Sequence, residues 1–206
     1  MYDVKNWRGQ FINSLIKDLN LKSYLELGIS KGWCWEEIEL ENKIGVEVNP
    51  EILDERIVKS TTDDYFNSLE KFKKFDIVFI DADHEKNQVF KDFKNSYDAL
   101  SDNGLILMHD VNPLGEFDTR PSGLGNCFEF WINLVDTHKD AVKLFIGLPD
   151  HCEGSIGIYF KNKKLFNPSL IGDMNYSYSY FDANRQKYSE SVSSSYENLI
   201  SFWKNK

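Results

Sequence analysis

The stretch "FDIVFIDADH", from Phe75 to His84, decides the fold. Five of its first six residues are apolar, which is typical of a strand buried on both faces in a helix-covered parallel sheet. Asp81, Asp83 and His84 follow at once. The stretch therefore predicts a buried strand that delivers two carboxylates and an imidazole to one edge of a sheet.

Strand and helix patterns alternate over most of the chain. Strands are predicted at 23–28, 43–48, 56–60, 75–80, 105–110, 141–147 and 154–160. Helices are predicted at 5–19, 33–41, 61–72 and 128–138, with another from about Glu85 to Leu100. "SDNG" at 101–104 is predicted to be a turn, and 112–126 a loop. The alternation predicts an α/β fold: a Rossmann-like, doubly wound, mostly parallel seven-stranded sheet with helices on both faces.

The C-terminal segment has a different composition. Five of the ten tyrosines lie within residues 166–206, among many serines. We therefore divide the chain into a main domain, 1–165, and a C-terminal appendage, 166–206. The appendage is predicted to be a "YSYSYF" arm followed by one helix through Tyr188, Val192, Leu199 and Phe202. Contact between copies of the chain through this arm is a further expectation.

Composition excludes several classes of partner. The 206 residues carry 24 Lys and Arg against 33 Asp and Glu, a net charge of −9, which disfavours nucleic acid and anionic membranes. Three widely spaced cysteines, Cys34, Cys127 and Cys152, predict neither a disulfide framework nor a zinc site. No apolar run approaches the ~18 residues of a membrane span, and the N-terminus lacks a signal-peptide pattern. We expect a cytoplasmic protein without a membrane anchor.

The turn after the first strand, "LELGISKG", has the composition of a ligand-binding turn. Gly28 and Gly32 allow the backbone to approach a ligand closely, and a helix N-terminus follows. Glu47 ends the second strand 19 residues after Gly28, where an acidic side chain can accept hydrogen bonds from a ribose. Ser30 and Trp33 replace two glycines of the dinucleotide fingerprint, which disfavours a nicotinamide-dependent oxidoreductase. Together with Glu26, Glu47 favours a ligand that carries a cationic amino group.

Five motifs resemble, in order and spacing, those of class I S-adenosylmethionine (SAM)-dependent methyltransferases. They are "YLELGISKG", "GVEVNPE", "STTDDYF", "FDIVFIDADH" and "LSDNGLILMHDVNP", over roughly residues 5–160. The branch they resemble is that of small-molecule and sugar O-methyltransferases. The resemblance implies that SAM is the cofactor and that its binding residues are Glu26, Gly28, Ser30, Gly32, Glu47, Thr62, Asp63 and Asp81.

Acidic and imidazole side chains follow the fourth and fifth strands, which neighbour each other in this fold. They are Asp81, Asp83, His84, His109 and Asp110. A hydroxyl acceptor must lose its proton during methyl transfer, either to a side chain or with the help of a divalent cation. We assign Asp81, Asp83 and His109 as catalytic candidates and favour Asp83 or His109 as the proton acceptor.

The resemblance also implies a magnesium site in metal-dependent relatives. Asp81 and Asp110 match two of its ligand positions, while Val111 cannot ligate and His109 is a poor ligand for magnesium. The sequence leaves open whether a metal is required.

Simpler interpretations remain for single residues and for the whole chain. Asp83 is in a position to cap the following helix, and His109 to be a core histidine. A non-catalytic SAM-binding or assembly protein is the main alternative to an enzyme. An amino-directed DNA methyltransferase is disfavoured because "DADH" stands where an Asn/Asp-Pro-Pro-aromatic motif is expected. The sequence best predicts methylation of a hydroxyl on a small polar or sugar-like molecule.

Overall fold

The computed structural model describes residues 6–205. Residue 5, where the first predicted helix begins, lies outside this range. The strands are β1 (Tyr24–Leu27), β2 (Lys43–Glu47), β3 (Ile57–Lys59), β4 (Phe75–Ile80), β5 (Leu100–Met108), β6 (Val142–Ile146) and β7 (Ser155–Phe160). The α-helices are α1 (Trp7–Asp18), α2 (Trp33–Glu37), α3 (Thr62–Ser68), α4 (Lys86–Ala99), α5 (Cys127–His138), α6 (Tyr178–Ala183), α7 (Arg185–Tyr188) and α8 (Tyr196–Lys204).

One seven-stranded sheet organises the molecule, in the order β3-β2-β1-β4-β5-β7-β6. The pairs among β3, β2, β1, β4 and β5 are parallel, whereas β7 is antiparallel to both β5 and β6. Strands β2 and β3 are added on one side of β1, whereas β4 and β5 are added on the other side. The carboxyl ends of β1 and β4 therefore lie side by side at a topological switch point. The fold class predicted from the sequence is confirmed.

Helices cover both faces of the sheet. One face packs against α1, α2 and α8, through residues such as Phe11, Trp35 and Leu199. The other packs against α4, α5 and the C-terminal segment, through residues such as Phe93, Phe130 and Tyr188. Because β1 alternates between the faces, Tyr24 and Glu26 lie on the side of α1 and α2.

Residues of the C-terminal segment pack on the body of the protein. Trp131 donates its indole N–H to the Tyr188 carbonyl at 2.7 Å, and the Phe128 and Phe181 rings meet edge to face with centroids 5.6 Å apart. The Tyr178 hydroxyl donates to the Leu114 carbonyl at 2.8 Å. The division at residue 165 and the contact between copies through the arm stay predictions.

The predicted turn at 101–104 is wrong, because these residues belong to β5. Phe75 pairs with Leu100, whereas Ile77 pairs with Leu105, so the extra residues of β5 bulge against β4. Ser101 Oγ donates to Asp76 Oδ1 at 2.8 Å, which helps to hold the bulge. Polar turn residues are thus compatible with an irregular strand here.

Several predicted helices are longer than the observed ones, among them the helix predicted at 61–72, which is observed as Thr62–Ser68. Helix α2 ends at Glu37, because Ile38 adopts an extended backbone with φ −69° and ψ 112°. The single helix predicted through Tyr188 and Phe202 is instead α7, a short 3₁₀ turn and α8, and α6 already begins inside the "YSYSYF" arm. No helix within residues 6–205 combines the length and the apolarity needed to cross a membrane.

Candidate active site

The turn after β1 packs tightly against the end of β4. Gly28 has φ +88°, and a Cβ on it would lie 2.1 Å from the Asp81 carbonyl oxygen. Only glycine therefore fits this position. Ser30 also lies in the left-handed region, with φ +47°, and Gly32, at φ +80°, precedes α2 as its N-cap. The turn predicted from "LELGISKG" is present.

Glu47 at the end of β2 organises this turn. The backbone N–H groups of Ile29 and Ser30 donate to Glu47 Oε2 at 3.1 and 3.0 Å, and Asn49 N–H donates to Oε1 at 3.0 Å. Burial acts against the charge, but these donors outweigh it and hold the pKa of Glu47 below its usual value. Glu47 is thus a fixed anion at the cavity wall.

Glu26 is a buried carboxyl without an ion-pair partner among the described residues. Only 1% of it is exposed, and the Tyr24 hydroxyl donates to its Oε2 at 2.7 Å. Burial raises the pKa of Glu26 to about 8 although the Tyr24 hydrogen bond opposes the shift. Near neutral pH this side chain is therefore largely protonated.

Thr62 and Asp63, in the first turn of α3, lie on the same cavity wall. Gln88 of α4 donates to Thr62 Oγ1 at 3.2 Å and to Asp63 Oδ1 at 3.3 Å. Asp63 also pairs with Lys91 at 2.5 Å. The two predicted residues and Gln88 thus form one polar wall.

A cluster of charged groups lies where β4 and β5 end. Asp81 Oδ2 is 3.1 Å from Arg8 Nη1, and Asp81 Oδ1 is 3.1 Å from His109 Nδ1. The same His109 nitrogen is 2.8 Å from Asp110 Oδ1, and Asp110 Oδ2 is 3.1 Å from His84 Nε2. The structure therefore brings together four of the five residues predicted at these strand ends.

The electrostatics of the cluster make His109 a cation. Burial lowers its pKa, but the Asp110 and Asp81 carboxylates outweigh burial and raise the pKa of His109 to about 10. Burial likewise opposes the charge of Asp81, but His109 and Arg8 hold the pKa of Asp81 below its usual range. A protonated His109 donates hydrogen bonds, including one to the Glu153 carbonyl at 3.2 Å, and is not a proton acceptor in this state.

Asp83, the fifth residue, is separate from the ion pairs. Its Oδ1 accepts the Glu85 N–H at 2.8 Å, and the side chain is exposed at the cavity wall. The N-cap of α4 is Glu85, whose carboxylate accepts from Asn87 and Gln88 N–H groups. Asp83 is therefore not the helix cap of the simpler interpretation.

The donor atoms fit a divalent cation. One ligand atom from each of Asp81, His84 and Asp110 lies within 4.8 Å of the others. Asp110 Oδ1 is buried, and the cationic group beside it is His109, whose Nδ1 lies 2.8 Å away. Asp81 and Asp110 were predicted as ligands, whereas His84 was not. Val111 is fully buried and has no donor atom.

The cavity has two halves that share wall residues. The larger half, of about 690 Å³, is lined by Glu47, Thr62, Asp63, Asp83 and Gln88 among others. The smaller half, of about 480 Å³, is lined by Arg8, Glu26, Trp33, His109 and Glu153 among others. Gly28, Glu47, Ala82 and His84 line both halves. The acid and imidazole cluster therefore lies beside the wall that the two halves share.

Three residues of the cavity wall were not predicted from the sequence. Arg8 comes from α1, 73 positions before Asp81, and reads as one polar residue of an amphipathic helix. Gln88 reads as an ordinary residue in the first turn of α4. Glu153 takes part through its backbone carbonyl, which any residue type supplies.

The comparisons with known proteins agree with this geometry. Residues 11–111 match the methyltransferase domain family. The O-methyltransferase from Bacillus cereus, solved with S-adenosylhomocysteine (SAH), is 17% identical with a TM-score of 0.58, over 77% of this chain and 83% of that chain. The SAH-bound methyltransferase PaMTH1 from Podospora anserina is 22% identical with a TM-score of 0.55, over 78% and 80%.

A third solved structure has the same fold. A putative caffeoyl-CoA O-methyltransferase from Staphylococcus aureus is 16% identical with a TM-score of 0.57, over 78% of this chain and 85% of that chain. The search of curated sequences gave no match. The sheet order and the glycine turn at the switch point define a Rossmann-like methyltransferase fold.

The chain belongs to the class I SAM-dependent methyltransferases. The family match spans the segment that carries all five motifs except the last residues of the fifth. The enzyme class predicted from the sequence is confirmed, and the nicotinamide-dependent oxidoreductase is not supported.

Proposed function

We propose that the protein transfers the methyl group of SAM to a hydroxyl of a small polar or sugar-like molecule. The observation that carries this proposal is the position of the Asp81, His84, His109 and Asp110 cluster beside the junction of the two cavity halves. The larger half suits the adenosyl part of the cofactor, and the smaller half is proposed to take its methionine part and the acceptor.

The cofactor residues of the proposal are those named from the sequence. Glu47 accepts from the ribose, and Thr62 and Asp63 lie beside the adenine. Gly28, Ser30 and Gly32 form the turn under the methionine part, next to Asp81. Glu26, which lines the smaller half, faces the amino group of the methionine part.

Replacing Glu47 tests the ribose contact. Glu47→Ala should weaken SAH binding by about 1–3 kcal/mol, because hydrogen bonds to the ribose and to the turn are lost. Calorimetric titration measures this change. Glu51→Ala, an exposed change close in sequence, serves as the control and should leave the dissociation constant unaltered. An equal dissociation constant in Glu47→Ala would remove Glu47 from the site.

Replacing Glu26 tests the amino-group contact through its pH dependence. Below pH 8 the free protein holds a proton on Glu26, and a bound ammonium favours the carboxylate, so binding must release that proton. SAH affinity should therefore rise from pH 6 to pH 8. At pH 7 the binding enthalpy should differ between phosphate and Tris buffers, and Glu26→Gln should abolish most of this difference. A buffer-independent enthalpy in the wild type would contradict the assignment.

The smaller half of the cavity offers both aromatic and polar surface. Trp33 is 43% exposed and lines it, together with Lys31, Ser122 and Glu153. An indole face packs well against the apolar face of a ring that carries hydroxyls at its edge. These properties support a small polar ring as the acceptor.

The proton of the acceptor hydroxyl needs a destination during in-line displacement. We assign this role to Asp83, because His109 is already protonated and Asp81 is held by Arg8 and His109. Asp83 directly follows Ala82, which lines both halves. Arg8 and His109 keep Asp81 ionised and oriented.

Asp81, His84 and Asp110, whose ligand atoms lie within 4.8 Å of one another, would hold a divalent cation. When bound, it would lower the pKa of the acceptor hydroxyl. Magnesium, the ion implied by the resemblance, requires mostly oxygen ligands, and the two aspartates supply them.

A methyl-transfer assay with a panel of candidate acceptors tests the proposal. The protein is incubated with labelled SAM and with matched hydroxyl, amine and thiol compounds, including simple sugars and catechols, with and without magnesium. Label should pass to hydroxyl compounds only. Transfer to amines or thiols in preference to hydroxyls would overturn the O-methyl assignment, and absence of transfer to a broad panel of small hydroxyl compounds would overturn the acceptor class.

A further inference from the structure

The loop that follows β5, residues 112–126, contributes to both halves of the cavity, and we call it the cavity loop. Thr119 and Pro121 line the larger half, whereas Ser122 and Leu124 line the smaller half. The position of this loop therefore sets the shape of both halves.

The start of the cavity loop is held by two side chains of the C-terminal segment. Arg185 donates from Nη2 to the Pro113 carbonyl at 2.9 Å and from Nη1 to Asn112 Oδ1 at 3.4 Å. The Tyr178 hydroxyl donates to the Leu114 carbonyl at 2.8 Å. Three consecutive loop residues are thus bound immediately after the acidic cluster at the end of β5, and we call these contacts the loop tether.

The Arg185 side chain is itself held in place. Its Nη2 also donates to the Tyr178 hydroxyl at 3.2 Å, and its Nε donates to Asp182 Oδ1 at 3.1 Å. The guanidinium lies over the Phe181 ring, with Cζ 5.0 Å from the ring centroid. A planar guanidinium can bridge a carbonyl, an amide and a carboxylate at once, whereas a lysine ammonium is a single charge on a flexible stem.

The C-terminal segment is a firm anchor for the loop, because it packs on α5. Phe181 and Tyr188 are fully buried. The Phe181 ring meets Phe128 of α5 edge to face, and the Tyr188 carbonyl accepts the indole N–H of Trp131. Loss of one contact to the cavity loop should therefore leave the anchor folded.

Hydrogen bonds within the cavity loop connect its tethered start to the cavity wall. Asp118 Oδ2 accepts the N–H groups of Leu114 and Gly115 at 3.0 and 2.9 Å. The Asp118 carbonyl accepts the N–H of Leu124, a wall residue, at 2.7 Å. A contiguous set of contacts of this kind can carry energetic coupling between distant residues.

We propose that Arg185 is a positioning residue of the active site, which acts through the cavity loop and is assisted by Tyr178. Without the loop tether the loop would sample more conformations, and ligand binding would have to order it, which lowers affinity. The inference rests on the proposed function for the place of the cofactor in the cavity, whereas the loop tether itself does not depend on that function.

Two measurements on full-length variants test this role. Calorimetric titration gives the affinity for SAH, and hydrogen–deuterium exchange followed by mass spectrometry reports local opening in the ligand-free protein. Arg185→Ala should weaken SAH binding by about tenfold and speed up exchange across 112–126, with exchange in β4 unchanged. Arg185→Lys should restore part of the affinity. Tyr178→Phe removes one hydroxyl only and should show a smaller loss in the same direction.

The matched control is Lys187→Ala. Lys187 lies in the same helix as Arg185 but pairs with Asp136 Oδ1 of α5 at 2.5 Å. This variant should keep the wild-type SAH affinity and the wild-type exchange rate of the cavity loop.

Three results would each overturn the proposal. They are wild-type SAH affinity in both Arg185→Ala and Tyr178→Phe, wild-type exchange of the cavity loop in both, and an equal rise of exchange in β4 and in the loop in both. The last result would mean that the two side chains only stabilise the fold as a whole.

The two readouts separate this inference from the proposed function. Failure of the wild type to bind SAH would contradict the cofactor assignment. In that case, faster loop exchange in Arg185→Ala and Tyr178→Phe would still support the loop tether, and unchanged exchange would reject it.

Discussion

Asp81→Asn should lower kcat by about 100-fold or more and also destabilise the fold. The change removes the anion that pairs with Arg8 Nη1 and His109 Nδ1, both at 3.1 Å. His109 then keeps only Asp110, and Arg8 loses its ion-pair partner. Breaking a largely buried ion pair in this way costs on the order of 3 kcal/mol. The rate effect follows because Asp81 lies beside the methionine part of the proposed cofactor and orients His109, so the reacting groups lose their alignment. Urea unfolding and a methyl-transfer assay with an accepted substrate measure the two effects.

Asp83→Asn separates catalysis from stability. We expect a comparable loss of kcat, because Asp83 is the proposed proton acceptor, but little change in the free energy of unfolding, because its side chain is exposed and forms no ion pair among the described residues. Asp102→Asn, at the opposite end of β5, is the matched control and should change neither quantity. Wild-type turnover in both Asp81→Asn and Asp83→Asn would reject the catalytic assignment.

Gly28→Ala should abolish measurable SAH binding and destabilise the protein by at least about 2 kcal/mol. The backbone conformation, φ +88°, already costs a residue with a Cβ on the order of 1–3 kcal/mol. In addition, the new Cβ would lie 2.1 Å from the Asp81 carbonyl oxygen and 2.6 Å from Ala82 Cα. Backbone must therefore shift at the point where β1 and β4 form the cavity.

Gly115→Ala is the matched control for this change. Gly115 has φ −146°, and a Cβ there would meet only Asp118 Oδ2, at 3.9 Å. This variant should bind SAH and unfold like the wild type. If Gly28→Ala kept the wild-type affinity for SAH, the tight approach of the turn to β4 would have no role in binding.

The parallel part of the fold could be predicted because burial on both faces leaves a direct mark in the sequence. The run Phe75–Ile80 is a strand with the predicted bounds. The errors fall where tertiary contacts override local signals. "SDNG" has turn composition but pairs with β4 through a bulge, and α2 stops at Glu37 although Ile38 is apolar and buried.

The candidate site could be predicted only in part, for a related reason. Strand ends determine the edge of the sheet to which Glu47, Asp81 and Asp110 belong, so their approach follows from the order of the motifs. The charge state of His109 depends on its sequence neighbour Asp110 and on Asp81, which only the folded chain places beside it. The orientation of His84 depends on Gly123, 39 positions away. Neither distance is encoded in a local pattern.

Calorimetric titration with SAH, and separately with NADH, tests the central claim most directly. The protein should bind SAH at one site per chain with micromolar or tighter affinity and should not bind NADH under the same conditions. Such binding would agree with the two-chambered cavity as an adenosyl cofactor site. Binding of NADH alone, or of neither ligand, would contradict the account and leave the Asp81 and Asp110 cluster without its proposed cofactor.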